Sequence, residues 1–169
     1  MQLKFNLKQR GFSIMEFAIV VVILGILAAV TSAIYPGKVP QLRGQARQLV
    51  SDIRYMQYYA MSHHVRAKID FSSSNQYTLY DLTNAQSIVH PATNNTTVDV
   101  GAGGFSLSLS GDDGFTTNKV LVFDSLGRPY SNESVPGTAL VDDAVITLTT
   151  GDNSMGVTVI PETGQANPS

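Results

Sequence analysis

The longest apolar run of the chain lies close to its N-terminus. Residues 17–35 form a stretch of 19 residues without a charged side chain. As an α-helix this stretch would be roughly 28 Å long at about 1.5 Å per residue, which matches the hydrocarbon thickness of a bilayer. The pattern therefore predicts one membrane-crossing helix.

Beyond this run, apolar residues recur at steps of three and four, which predicts that the helix continues with one apolar face. The residues of this stripe are Leu42, Ala46, Leu49, Ile53, Met56 and Ala60. Pro36, Gly37 and Pro40 interrupt the start of the stretch, so we expect a kink or unwound segment near residues 33–40. The whole helix is expected from about residue 12 to residue 63.

From residue 65 onward, short β-rich runs alternate with turn residues. The predicted strands are 65–71, 76–82, 96–100, 105–109, 119–123, 144–149 and 156–160. The predicted turns between them are 72–75, 111–114, 126–134 and 150–154. Antiparallel hairpins packed on the apolar face of the helix would bury both patterns. The predicted fold class is α+β, a lollipop of one long helix and a small antiparallel sheet head.

Composition narrows the functional classes. The chain has 169 residues, enough for about one domain, and its 43% hydrophobic content argues against disorder along the whole length. With no cysteine, the chain has no disulfide framework, thiolate metal site or cysteine nucleophile. Its three histidines are scattered, which leaves little for a histidine-rich metal cluster.

The formal charge of −2 hides three different regions. The first ten residues contain three basic residues and no acidic one, so this end should stay cytoplasmic and the rest of the chain should be exported. Residues 37–68 carry six basic residues against Asp52, and we interpret them as a solvated or lipid-facing helical surface rather than a nucleic-acid site. Residues 70–169 carry only two basic residues against eleven acidic ones.

Glu16 is out of place in this apolar N-terminal region. An acidic residue at mid-membrane costs about 2.5–3.5 kcal/mol, and less near the interface, so it is a functional candidate that needs a partner. A plain membrane anchor gives no reason for it, and a secretory signal peptide would carry a shorter apolar core. Cleavage between Gly11 and Phe12 would place a new amino group about one helical turn from Glu16. An interfacial glutamate reaching to headgroups is the alternative.

The residues from Gly11 to Phe17 resemble the processing motif of type IV prepilins and type II secretion pseudopilins. A short basic leader ends in glycine, and an aromatic residue, a small hydroxyl residue, two apolar residues and a glutamate follow. The resemblance implies cleavage after Gly11 by a prepilin peptidase, N-methylation of Phe12, and assembly into a filament. It also implies that Glu16 pairs with the methylated amine of an adjoining subunit.

The resemblance implies a domain organisation and a set of partners. Residues 1–11 would be a cleaved leader, 12–36 the membrane-spanning and filament-core half of the helix, 37–64 its amphipathic half, and 65–169 a periplasmic β-rich head. The partners would be other pilin or pseudopilin subunits, the prepilin peptidase and N-methyltransferase, the inner-membrane assembly platform and membrane lipid. The chain would cross the bacterial inner membrane once before entering a filament.

Three further segments look like the GspH and FimT branch of this family, namely residues 45–82, 120–131 and 146–166. That branch includes a minor pseudopilin of secretion systems and minor pilins, some of which are DNA receptors. The acidic head argues against DNA here, because nucleic-acid binding draws its strength from Lys and Arg. In the head only Arg128 is a candidate, and the C-terminal residues contain no arginine.

The head offers little chemistry. His90 has no convincing companion in the head, and no nucleophile elbow, P-loop or metalloprotease pattern is present. Aspartates at 112–113, 142–143 and 152 invite a calcium interpretation, but their turn-forming context favours ordinary turns. We predict no catalytic residue, cofactor or metal site. Likewise His63 and His64 are expected to end the helix, where a cation suits the dipole.

The predicted function is a minor pilin or pseudopilin, not an enzyme. It would be a structural subunit of a type II secretion pseudopilus or a type IV pilus, involved in filament initiation or tip assembly. The alternatives are a DNA-binding minor pilin for natural transformation and a simple membrane-anchored periplasmic domain.

Overall fold

The structure is a computed structural model that describes residues 13–33 and 38–169. The chain divides into two compact units, residues 1–37 and residues 38–169. The predicted leader, the predicted cleavage site at Gly11 and Phe12, and residues 34–37 of the predicted kink lie outside the described residues.

The first unit contains helix α1, Ile14–Ala33. Within the described part of the chain, no helix combines the length and the apolar character needed to cross a membrane. Residues 34 and 35 of the predicted span lie outside the described residues.

The second unit begins with helix α2, Lys38–His63. All six positions of the predicted apolar stripe are buried, so the amphipathic helix is confirmed. The helix ends at His63, as predicted, and His64 leaves it with a left-handed φ of 55°. His63 stacks on the ring of Tyr59, one turn earlier, with centroids 4.2 Å apart.

Ten strands, one further α-helix and a short 3-10 helix at Gly101–Gly103 follow α2. Their bounds are β1 Ala67–Asp70, β2 Gln76–Asp81, β3 Gln86–Ser87, β4 Thr97–Asp99, β5 Ser106–Gly111, α3 Asp113–Asn118, β6 Val120–Phe123, β7 Pro129–Tyr130, β8 Ala144–Thr150, β9 Asn153–Val159 and β10 Ala166–Pro168. One sheet has the order β3-β2-β1-β6-β7, with β4 also paired to β2, and the other has the order β10-β9-β8-β5. All of these pairings are antiparallel.

The α+β class and all seven predicted strands are confirmed, but the prediction of one small sheet is wrong. The strands divide into two sheets, and α2 packs against β1 and β6 of the first and β8, β9 and β10 of the second. The predicted turn at 111–114 is also wrong in part, because α3 begins there. Strands β3, β7 and β10 were not predicted. Each is only two or three residues long, which is too short to show an alternating pattern.

The second unit holds its own core. Every member of the hydrophobic core cluster identified in the described structure lies within residues 38–169. Aromatic side chains fill its centre, and Phe115 from α3 meets Phe71 edge to face at 6.0 Å. This unit therefore contains the interactions that it needs to fold by itself.

Two polar side chains of α2 attach the late turns of the chain to the helix. Arg54 donates to the carbonyl of Ala166 at 2.8 Å. Gln57 Nε2 donates to the carbonyls of Gly127 and Thr163, at 2.8 Å and 2.7 Å. These bonds fix β10 and two turns along one side of α2.

Candidate functional site

The start of α1 is set by a side-chain cap. The Ser13 hydroxyl oxygen accepts a hydrogen bond from the backbone N–H of Met15 at 3.3 Å. The Ser13 carbonyl accepts the first helical bond, from the N–H of Phe17, at 3.1 Å. Ser13 is thus the N-cap residue. Glu16 follows three residues later, which is the spacing of a capping box. This spacing is visible in the sequence alone.

Glu16 lies in the first turn of α1 and its side chain is exposed. A negative charge at this end of a helix is stabilised by about 0.3–1 kcal/mol, because the unpaired N–H groups of the first turn carry partial positive charge. No hydrogen bond or ion pair joins its carboxylate to another residue that the structure describes. The structure therefore leaves this carboxylate free for a partner outside the described ranges.

The surface of α1 is apolar on every side. From Ile14 to Ala29, Glu16 is the one polar side chain, and all of these residues are exposed. Phe17 is 67% exposed and Leu24 is 59% exposed. A helix that is apolar all round needs a covering of lipid or protein. The helix therefore offers a surface for assembly or insertion, with one acid at its start.

His90 has one side-chain partner, Asp52, which lies on α2 and not in the head. Its Nε2 lies 2.8 Å from Oδ1 of Asp52 on α2. The other carboxylate oxygen of Asp52 accepts a hydrogen bond from the hydroxyl of Tyr77 on β2. In the sequence, Asp52 shares the apolar face of α2 with Leu49 and Ile53. That position is the signal that this acid is buried and needs a hydrogen-bond partner.

The protonation pattern of this network follows from its donors. Nδ1 of His90 accepts the backbone N–H groups of Ala92 and Thr93, each at 3.2 Å. That nitrogen carries no proton, so Nε2 carries it and donates to Asp52. Burial, and then the charge of Asp52, raises the pKa of Tyr77 far above its usual range, which keeps this hydroxyl a donor.

The network holds the fold rather than performing chemistry. Asp52, Tyr77 and His90 are 5%, 1% and 2% exposed, so a substrate cannot reach them. Their bonds join α2, β2 and the loop after β3. Each buried polar group has a partner, which is the condition under which such a network stabilises a core.

The aspartate pairs have different structural roles. Asp112 is buried, and its carboxylate accepts the N–H of Phe115 at 2.8 Å and the N–H of Val141 at 2.9 Å. It caps α3, so both of its oxygens are already in use. Asp142, Asp143 and Asp152 are exposed. No group of three or more metal-ligating side chains occurs in the described ranges.

The basic candidates lie on the surface. Arg43, Arg47 and Arg54 occupy the exposed face of α2. Arg128 is exposed in the turn before β7 and lines a cavity of about 270 Å³ together with Glu162. Glu162 therefore shares a cavity with Arg128, the one residue of the head that we considered for contact with phosphate.

Comparison with known proteins gives two matches. Residues 6–32 match the family described as the prokaryotic N-terminal methylation motif. The fold is similar to the crystal structure of the type IV minor pilin FimU of Pseudomonas aeruginosa, with a TM-score of 0.52 and 13% identity. That similarity covers 79% of this chain and 92% of the FimU chain. A search of curated protein sequences gave no match.

Proposed function

We propose that the chain is a member of the type IV pilin and pseudopilin family, and that it is a minor subunit of a type IV pilus or a type II secretion pseudopilus; the methylation motif at residues 6–32 and the similarity of the fold to a minor pilin support this. Its work is initiation of the filament or assembly of its tip. The chain binds neighbouring subunits through its apolar helix and catalyses no reaction.

The observation that supports this proposal most is Glu16, an acid at the start of an exposed apolar helix and within the methylation motif matched at residues 6–32. Cleavage after Gly11 creates an amine on Phe12, and methylation keeps that amine basic. Glu16 is the group that meets such an amine on an adjoining subunit. In a low-dielectric filament core, this ion pair offsets much of the cost of burying each charge and fixes the register between subunits.

The proposed route begins in the bacterial inner membrane. The three basic residues of the leader hold the N-terminus in the cytoplasm, and the head folds in the periplasm. The prepilin peptidase and N-methyltransferase process the chain, and the assembly platform moves it from lipid into the filament. The exposed apolar side chains of α1 exchange lipid for neighbouring helices during this step.

Replacement of Glu16 by glutamine tests this proposal. The substitution keeps the side-chain size and removes the charge, which leaves the partner amine unpaired. Breaking a buried ion pair costs about 3–5 kcal/mol, so recovery of the chain in sheared filaments should fall at least about tenfold, while cleavage after Gly11 continues. The measurement is the ratio of filament-bound to membrane-bound chain in cells.

Asp152→Asn provides the matched control. Asp152 is an exposed acid in the turn between β8 and β9, so its loss should leave incorporation unchanged. Equal recovery of wild type and Glu16→Gln in filaments would remove the proposed role of this carboxylate.

A further inference from the structure

One side of α2 carries three arginines whose charge no acid neutralises. Arg43, Arg47 and Arg54 lie four and seven residues apart, a spacing that places them on one side of the helix, and all three are exposed. The one acid of α2, Asp52, is buried and bonded to Tyr77 and His90. Within the part of the chain that the structure describes, none of the three arginines forms an ion pair.

Two of these arginines line one cavity. Arg47 and Arg54 border a space of about 320 Å³ together with Val50, Ser51 and Pro168. Val50 belongs to the hydrophobic core, so the cavity lies directly on packed structure. No acid and no aromatic side chain occurs among the described residues that line it. We call Arg47, Ser51 and Arg54 the arginine site.

The fold holds one guanidinium group of this site in place. Arg54 donates from one Nη to the carbonyl of Ala166 at 2.8 Å. Ala166 begins β10, and Pro168 ends the same strand, so this bond keeps Arg54 beside the opposite wall of the cavity. The bond uses only one of the five N–H donors of the guanidinium group. The other donors of Arg54 stay available to a ligand.

The remaining donors of the site are also unused. The side chains of Arg47 and Ser51 form no hydrogen bond with any residue in the described ranges. Two guanidinium groups and a hydroxyl therefore surround one space with donors and positive charge. A phosphate group matches this arrangement, because its oxygens accept several hydrogen bonds at once and arginine binds it through two parallel ones.

The surroundings favour a single phosphate group over a long polyanion. Residues 70–169 contain eleven acidic residues and two basic ones, which repel an extended nucleic acid. A single phosphate group responds mainly to charges within about 10 Å, the distance over which salt screens the rest. The cavity also lacks an aromatic side chain on which a base could stack.

We propose that Arg47 and Arg54 bind one phosphate group in this cavity, with the hydroxyl of Ser51 as a further donor. Arg43, one turn before Arg47, adds to the local positive potential without lining the cavity. Free phosphate and the headgroup of an anionic phospholipid both carry this chemistry. The inference does not rest on the proposed function, because it needs only residues 38–169.

Titration with inorganic phosphate tests the site. Residues 38–169 contain a core of their own, so this unit is used alone, at constant ionic strength, with calorimetry and the NMR signals of the arginine Nε–H groups as readouts. We expect saturable binding that shifts the signals of Arg47 and Arg54. Arg47→Gln should weaken it about tenfold, because the charged donors of one arginine are lost.

Two variants provide the matched controls. Arg128→Gln removes the same charge from an arginine that lies with Glu162 in another cavity, so phosphate binding should stay unchanged. Arg47→Lys keeps the charge but loses the planar pair of donors, and it should weaken binding about threefold. Arg47 makes no side-chain hydrogen bond in the described ranges, so the urea midpoint of its variants should match that of the wild type.

Vesicle flotation separates the two sources of phosphate. If the ligand is a lipid headgroup, the unit should float with phosphatidylglycerol vesicles and not with phosphatidylcholine vesicles, and Arg47→Gln should lower the floated fraction about tenfold. If the ligand is free phosphate, the titration saturates and the unit floats with neither. Both results support the site and identify its source.

Three results would overturn this inference: no saturable binding of phosphate or phosphatidylglycerol, equal binding by wild type and Arg47→Gln, or an equal loss in Arg128→Gln. Binding to a DNA oligonucleotide that inorganic phosphate does not displace would also overturn it and assign the arginines to a polyanion. The proposed function fails separately, when the chain is absent from sheared filaments.

Discussion

Gly111 is a residue whose backbone no other amino acid reproduces. It ends β5 with φ of +92°, and a Cβ at this position would lie 1.9 Å from the carbonyl oxygen of Asp143. The same close approach allows the N–H of Asp112 to bond that carbonyl at 3.1 Å. One glycine therefore holds the end of β5 against the start of β8.

Replacement of Gly111 by alanine should destabilise residues 38–169 by about 3 kcal/mol or more. A left-handed non-glycine residue costs about 1–3 kcal/mol, and the steric conflict with backbone adds to this. Gly151→Ala is the matched control, because Gly151 has φ of +56° with no atom near its would-be Cβ. Its cost should be about 1–2 kcal/mol. Urea unfolding measures both, and equal losses would contradict the steric account.

The hydroxyl of Tyr77 donates its buried hydrogen bond to the carboxylate of Asp52. Replacement of Tyr77 by phenylalanine should cost about 1.5–3 kcal/mol, the range for a hydrogen bond to a charged group. Tyr130→Phe, which removes a bond of 3.1 Å to Asp124 at a half-buried site, should cost about 1 kcal/mol or less. Urea unfolding measures the free energy of unfolding of both variants. An equal decrease in the two would contradict the claim that the buried hydrogen bond of Tyr77 contributes more to stability than the half-buried one of Tyr130.

The raised pKa of Tyr77 predicts that the free energy of unfolding decreases at alkaline pH. Its pKa is raised in the fold above the usual value of 10.0, so the unfolded chain releases this proton first. The contribution is complete below about pH 10 and is lost as the pH rises above it. The free energy of unfolding should fall above that pH, and its slope should be shallower in Tyr77→Phe. An unchanged slope would mean that Tyr77 titrates alike in both states.

At the scale of elements, α3 depends on one buried cap. Burial pushes the pKa of Asp112 upward, but the N–H groups of Val141 and Phe115 outweigh it and hold that pKa below its usual value. The carboxylate thus begins a helix of six residues and also secures the segment before β8. A short helix of this kind forms only with such tertiary support.

Replacement of Asp112 by alanine should cost about 2–4 kcal/mol, from the lost cap and the unpaired N–H of Val141. Because its folded pKa is lowered, its contribution is present above about pH 4 and is lost as the pH falls through the folded pKa. The acid limb of the stability profile should therefore flatten in the variant. Asp113→Ala, at the exposed neighbouring position, should change stability by about 0.5 kcal/mol or less. A similar effect of both changes would contradict the cap.

The elements also show how far sequence reasoning reaches. The stripe of α2 and the seven predicted strands were predictable, because the signal for each lies in its own residues, as helical spacing in α2 and as short β-rich runs bounded by turn residues in the strands. Helix α3 was not, since its cap acts partly through Val141, far along the chain. The companions of His90 were hidden for the same reason. Asp52 and Tyr77 come from separate elements, and only packing brings them together.

The residues of the candidate site at the N-terminus were predicted from the sequence, and of these the structure describes only Glu16. Gly11, Phe12 and Glu16 were predicted from residue type and spacing, and all three lie within residues 6–32, which match the methylation motif. Sequence patterns of this kind report local chemistry directly.

At the scale of the whole molecule, two units carry two kinds of surface. Residues 38–169 bury apolar side chains in a core of their own, whereas the side chains of residues 14–29 in α1 are exposed. A protein of this kind is stable in water only where something covers the apolar helix. In the proposed function, neighbouring subunits of a filament supply that covering, and an amine on Phe12 is the proposed partner of Glu16.

The mass of the mature N-terminus, in chain purified from cells, tests the central claim most directly. The account predicts a first residue of Phe12 carrying one methyl group on its amine. A chain that begins at Met1, or at a residue after the apolar helix, would contradict it, because no amine would then stand beside Glu16.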